Sequence, residues 1–247
     1  MDLSDTSITI ETAPIRDEKY FFGDGDCVFL VRGILFKLHK WALCRDPDSM
    51  FRDMFDIPQD FQAKVLDPIA LSDDIADFRA LCWAVYALPM EIELQNKSGA
   101  DLVRLTAVAK MSHKYTLVSF EAWALTLIRT HCQLTSGDHL DGCPQEMLCR
   151  IFEAAEKGGQ QDLCDLVEET WLRRLKSGEF PLRHALDFGE EHNRRAFLGK
   201  AYYQQALVMK LLAAPIGTSG ASDFSQSNLT HEQMYRLLSG HCSLSLA

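Results

Sequence analysis

With 25 Lys and Arg against 35 Asp and Glu, the 247-residue chain carries a net charge of −10. Its 47% hydrophobic and 24% charged residues match the globular average, which excludes wholesale disorder. The acidic balance argues against a nonspecific nucleic-acid binder, whose phosphate contacts need clustered Lys and Arg.

Residues 1–5 hold Asp where a signal peptide needs positive charge, and no apolar core follows. Residues 1–19 are polar and read as an arm, in which the β-branched Ile8, Thr9, Ile10 and Thr12 fit a short strand. Asp24-Gly25-Asp26 is a turn signal, and Cys27-Val28-Phe29-Leu30-Val31 follows it. Arg32-Gly33 then joins this run to Ile34-Leu35-Phe36-Lys37-Leu38, the pattern of a β-hairpin. From 39 to 55 the period changes to helical, and Arg45-Asp46-Pro47-Asp48 divides the stretch into two short helices. Pro47 is placed in the first turn of the second. Pro68-Ile69-Ala70-Leu71 reads as a short strand. Ser72 is the expected N-cap of the next helix, with Asp73 and Asp74 in its first turn and a stop at Pro89.

Beyond residues 95–99 the chain reads as helical. Leu102, Leu105 and Ala109 form one stripe, and Leu117, Phe120, Ala124 and Leu127 another. The Gly-, Ser- and Asp-rich residues 135–142 mark a domain boundary. Met147, Leu148, Ile151, Phe152 and Ala155 resume the stripe, Gly158-Gly159 breaks it, and Leu163, Leu166, Val167 and Trp171 continue it. Helices at 181–190 and 194–213 follow, then a flexible segment at 217–222 and a short helix at 231–238. A shift of 46 lays Leu102 on Leu148 and Leu105 on Ile151, and a shift of 77 lays Leu105 on Leu182 and Phe120 on Phe197. Each unit is a helix, a turn and a second helix, which stacking on neighbours would bury. The alternative is that any two amphipathic helix pairs match this way. The longest uncharged apolar run, 80–90, falls short of the roughly 20 residues a membrane span needs. Eight cysteines, mostly within apolar periodic segments, read as reduced thiols of an intracellular protein in cytoplasm or nucleus.

The stretch 24–55 resembles the BTB (POZ) family. That family has an Asp before its first strand, a Phe-Lys-x-His-Lys-x-x-Leu stretch and a helix ending Phe-Arg-x-Met-Phe. The matching residues are Asp26, then Phe36, Lys37, His39, Lys40 and Leu43, then Phe51, Arg52, Met54 and Phe55. Downstream, Ile69 to Leu71, Phe78 and Tyr86 resemble its third strand and following helix, and Ala109, Tyr115, Leu117 and Phe120 its closing helical pair. Asp48-Ser49 stands where the family usually has Ser-Pro. The lead-in Phe21-Phe22-x-Asp24-Gly25-Asp26 and the Leu88-Pro89 ending are similar to fungal BTB proteins, many of which carry a helical C-terminal region. The resemblance implies an α+β BTB fold, a small sheet packed on a helical cluster, followed by an all-α helical-hairpin region. The expected division is an arm at 1–19, a BTB domain at 20–136, a helical extension at 143–213 and a flexible tail with a short helix at 214–247. The implied function is protein–protein interaction as an adaptor or scaffold, with homodimers as the common form. The implied dimer surface is Trp41, Ala42 and Leu43 on the first helix after the hairpin, together with Ile8 and Ile10 of the arm. A substrate adaptor for a cullin-type ubiquitin ligase is the alternative. Against it, no aliphatic residue stands two before Glu91 or Glu93, where such adaptors tend to show a hydrophobic-x-Glu motif.

No chemistry competes with that reading. His39 as a catalytic base has no nucleophile in a motif, so it is expected to be a structural residue paired with Asp26. His131, Cys132, His139, Cys143 and Cys149 lie close together, but no Cys-x2-Cys occurs, and no zinc is expected. Asp24-Gly25-Asp26 lacks the rest of a calcium loop, and no phosphate-binding glycine loop, Gly-x-Ser-x-Gly or His-Glu-x-x-His is present. Trp83 and Trp123 are expected in the core. No cofactor, nucleic acid or membrane is expected to bind, and an enzyme is the alternative from another class.

Overall fold

A computed structural model describes residues 13–57, 67–97, 99–133, 140, 142–212 and 228–245. Ile8, Ile10 and the strand expected around them lie outside the described residues, as do residues 135–139 of the expected boundary. The fold is mixed α+β, with a small four-stranded sheet and many helices, and it divides into two units. The first takes the chain up to Leu134 together with Glu153–Gly159; the second takes Thr135–Phe152 and everything from Gln160 onward.

The sheet of the first unit has the order β1-β3-β2-β4, from β1 (Ile15–Phe21), β2 (Cys27–Val31), β3 (Ile34–Leu38) and β4 (Ile69–Leu71). The expected hairpin is β2–β3, antiparallel, with Val31 opposite Ile34. Arg32 and Gly33 both take positive φ, 45° and 85°, the backbone that matches a two-residue turn to strand twist. Outside the hairpin, β1 runs parallel to β3 and β4 parallel to β2. The arm expected to reach residue 19 therefore gives way to a strand at Ile15. That strand, IRDEKYF, has only Asp17 and Tyr20 buried, so its composition hides it.

Helices α1 (Lys40–Leu43), α2 (Met50–Asp56), α3 (Ile75–Tyr86), α4 (Pro89–Leu94), α5 (Leu102–Lys114) and α6 (Val118–Gln133) belong to this unit. Pro47 precedes α2, whose cap is Ser49: its Oγ accepts the Phe51 N–H at 3.3 Å and donates to the Leu43 carbonyl at 2.8 Å. The cap of α3 is Asp74, not Ser72, and it accepts the N–H groups of Ala76 and Asp77. α3 ends at Tyr86, ahead of the stop read at Pro89, and Pro89 also starts α4, with the Leu88 N–H held by Glu91 Oε2 at 2.9 Å. Phe29, Phe36, Phe51 and Phe78 are fully buried and meet ring to ring, with Phe36 edge-on to Phe78 at 4.9 Å.

The helices continue as α7 (Gln145–Lys157), α8 (Gln161–Lys176), α9 (Leu182–Glu191), α10 (Arg195–Leu212) and α11 (His231–Ser245). In the second unit Trp171 stacks on Phe188 at 5.1 Å, and Phe152 and Phe197 meet Phe188 edge-on. The helix expected at 231–238 extends to Ser245. Three connections, α5–α6, α7–α8 and α9–α10, are each three residues long. Each has a left-handed residue at its centre: Thr116, Gly159 and Asn193. In the first and third, the closing N–H reaches back five residues, Leu117 to Ser112 and Arg194 to Gly189, both at 2.8 Å. These turns align the helical hairpins at shifts of 43 and 77, so the shift of 46 misplaced the first pair by nearly one helical turn.

Candidate interaction surface

The hairpin and α1 define the most distinctive surface of the first unit. His39 leaves β3 with extended backbone and offers no side-chain cap to α1. Asp26 supplies the cap across the hairpin, accepting the Lys40 N–H at 2.7 Å. The hairpin end must pass close for this. A Cβ on Gly25 would lie 2.8 Å from the Leu38 carbonyl oxygen, so only glycine fits there. Asp26 thus binds the helix and not His39, contrary to the pairing expected from sequence.

His39 is enclosed by aromatic rings. Its centroid lies 5.2 Å from Phe22, 5.9 Å from Tyr86 and 6.2 Å from Trp41. The Tyr86 hydroxyl accepts the His39 backbone N–H at 2.9 Å and sits 3.1 Å from Nδ1. Burial pushes the Tyr86 pKa up to about 12, so the phenol keeps its proton to donate to Nδ1. The imidazole N–H then belongs on Nε2, facing Asp24 Oδ1 at 3.4 Å. Both ring nitrogens of His39 are committed.

Trp41 stands out from this cluster. It is 63% exposed, while its neighbours Ala42 and Leu43 are 1% and 0% exposed. Of the three expected contact residues of α1, the structure therefore leaves Trp41 on the surface and seals the other two in the core. The signature residues Phe36 and Phe51 are buried, and Met54 and Phe55 half-buried; Phe51 stacks on Tyr115 at 4.5 Å. Lys40 lies over the Phe55 ring at 5.1 Å.

Two concavities flank the helices. Ala84, Ile92, Ser119, Phe120 and Trp123 line an apolar groove of about 210 Å³ between α3, α4 and α6. Trp83 is buried as expected, but Trp123 is half-buried on the wall of this groove. Sequence periodicity passed over the groove because α4 was hidden behind its proline. A second cleft, of about 480 Å³, is lined by ion pairs: Lys114 with Asp73 at 2.5 Å, Lys110 with Asp77 at 2.6 Å and Arg32 with Asp74 at 3.6 Å. Asp73 also accepts from the Tyr115 hydroxyl.

Cys27, Cys44, Cys82 and Cys242 are free thiols. Burial pushes the Cys27 thiol up to about 12 and the Cys82 thiol well above its ordinary value, which removes them as nucleophiles at neutral pH. Among the described residues no three His, Cys, Asp or Glu side chains gather as a metal site; His139 lies outside them. No helix among the described residues is long and apolar enough to cross a membrane. No known family model matches the chain, and no curated protein matches it.

Proposed function

We propose that this chain is a BTB-type protein-interaction module that works without catalysis and self-associates through the surface centred on Trp41. The observation that carries the reading is an indole 63% exposed on a helix whose next two residues are sealed in the core. A large aromatic side chain costs water contact when left exposed, and it is the residue type that most often anchors interfaces. Rigid surroundings favour the same role. The Asp26 cap and the Phe22–His39–Tyr86 cluster hold α1 in place, so little ordering is left for association to cost. Further support comes from the hairpin, the Asp26-to-Lys40 bond and the buried Phe36, Leu43 and Phe51, which make the BTB-like signature a packing unit. The raised thiols of Cys27 and Cys82 argue against cysteine nucleophiles.

A second reading, an adaptor for a cullin-type ligase, draws on the apolar concavity of Ile92, Phe120 and Trp123, which could take an apolar side chain of a partner. Light scattering on the full chain tests the self-association reading. Self-association predicts a mass near twice 27.9 kDa at micromolar concentration. A mass of 27.9 kDa up to about 100 μM removes the self-association reading, since a stable interface of ordinary size associates more tightly.

A further inference from the structure

Helix α11 is attached to the second unit in an unusual way. Of its side chains from 231 to 243 only Gln233 and Leu237 are buried, at 1% and 2% exposure. Gln233 Nε2 donates to Asp187 Oδ1 at 3.2 Å and to Glu190 Oε2 at 3.1 Å, both on α9. Arg236 donates to Glu190 Oε1 at 3.3 Å and to Glu232, and it faces the Tyr202 hydroxyl of α10. From α9, Arg183 pairs with Asp187 at 2.7 Å and donates to the Asn228 carbonyl at 2.8 Å, just ahead of the helix. Thr230 and Gln233 close a reciprocal cap, the Gln233 N–H on Thr230 Oγ1 at 3.2 Å and the Thr230 N–H on Gln233 Oε1 at 3.1 Å. Gln233 is therefore both the cap of α11 and its bolt into α9.

α11 (15 residues) packs along α10, and one buried leucine, one amide and two arginines around two carboxylates add to that contact. Exposed ion pairs are weak and screened by salt. A helix of this length is marginal in water without tertiary contacts. Undocking and unravelling of α11 are then a single event, and the event is governed by charge.

We propose that α11 is a releasable cap: an ionically latched helix that folds as it docks on α9 and α10 and leaves as a unit when the latch is weakened. With α11 in place, Asp187 and Glu190 are spent on Gln233 and Arg236. With it gone, Asp187 keeps its pair with Arg183, and Glu190 is left as an open carboxylate on α9.

Hydrogen exchange on the full chain tests this. Raising NaCl from about 0.02 M to about 1 M, where the screening length falls to about 3 Å, should speed exchange of the α11 amides about tenfold. Amides of α8–α10 should keep their rates. Glu190→Gln should produce fast α11 exchange already at low salt and blunt the salt response. Arg236→Gln, a change on the cap itself, should do the same without touching α9. The proposal is overturned if α11 exchanges together with α9 and α10 at every salt concentration. It is equally overturned if α11 is unprotected at low salt, or if both variants keep wild-type α11 protection with circular dichroism unchanged.

Discussion

Asp17 shows how one side chain carries more of the fold than its strand suggests. It is 2% exposed, yet ionised, and it accepts from Arg79 at 2.7 Å and from the N–H groups of Tyr20 at 2.8 Å and Lys19 at 3.0 Å. Burial alone would raise its pKa, but the Arg79 bond and the two backbone donors outweigh burial and hold the carboxyl below its ordinary value. Asp46 repeats the pattern. Burial is opposed by the Ser119 N–H at 2.7 Å and the Asp48 N–H at 3.3 Å, and the net direction is again downward. A carboxylate with a depressed folded pKa stabilises the fold above its ordinary pKa and loses that contribution as pH falls through the folded value. Asp17→Asn should therefore cost about 1–3 kcal/mol near neutral pH, the range for leaving buried charge-assisted partners unmatched. Below the ordinary carboxylate range, wild type should lose stability more steeply than the variant, as read from urea titrations at stepped pH. A parallel loss in both would show that Asp17 is not a source of the acid sensitivity. Ser49→Ala removes both the α2 cap and the bond to Leu43, and should cost about 1–2 kcal/mol in the same titrations.

At the level of elements, the three hairpin turns share a geometry that their residues meet unequally. Gly159 and Asn193 suit positive φ, whereas Thr116 is β-branched and sits at φ 55°. Thr116→Asn should stabilise the first unit by about 1 kcal/mol, seen as a higher Tm, because it relieves the clash of a branched side chain in the left-handed region. An unchanged or lower Tm would mean that the Thr116 turn is not strained. The turns also explain what was legible in the sequence. Helical stripes showed where each hairpin lay, but hydrophobic spacing recurs every three or four residues and so admits the shift of 46; only the turn residue fixes the register at 43. The β2–β3 hairpin was readable because Arg32-Gly33 separates two apolar runs, while β1 was not, since a sheet edge needs few apolar residues and this one turns Asp17 inward. α4 was lost to the double meaning of proline, which ends one helix and begins the next. For the candidate surface, Trp41, Asp26 and His39 stood out in sequence. What periodicity could not give was the exposure that sets Trp41 apart from Ala42 and Leu43, or the choice of Asp24 and Tyr86 as partners of His39.

For the whole molecule, charge and apolar contact act in opposite senses. Each chain carries −10, so two copies meeting at an apolar surface also bring like charges together. Moderate salt screens that repulsion, and self-association should tighten between about 0.02 M and 0.2 M NaCl, while the α11 latch loosens over a wider range of salt. If Trp41 joins two copies, sedimentation equilibrium of the full chain beside its Trp41→Asp variant, with near-UV circular dichroism of both, reads the junction itself. Trp41 is exposed, so the substitution should leave the fold intact. It should also weaken association by about 30-fold or more, the effect of removing an anchor worth about 2 kcal/mol. Wild type and variant assembling with equal affinity, both folded, would contradict the account, as would a wild-type chain that stays at 27.9 kDa throughout.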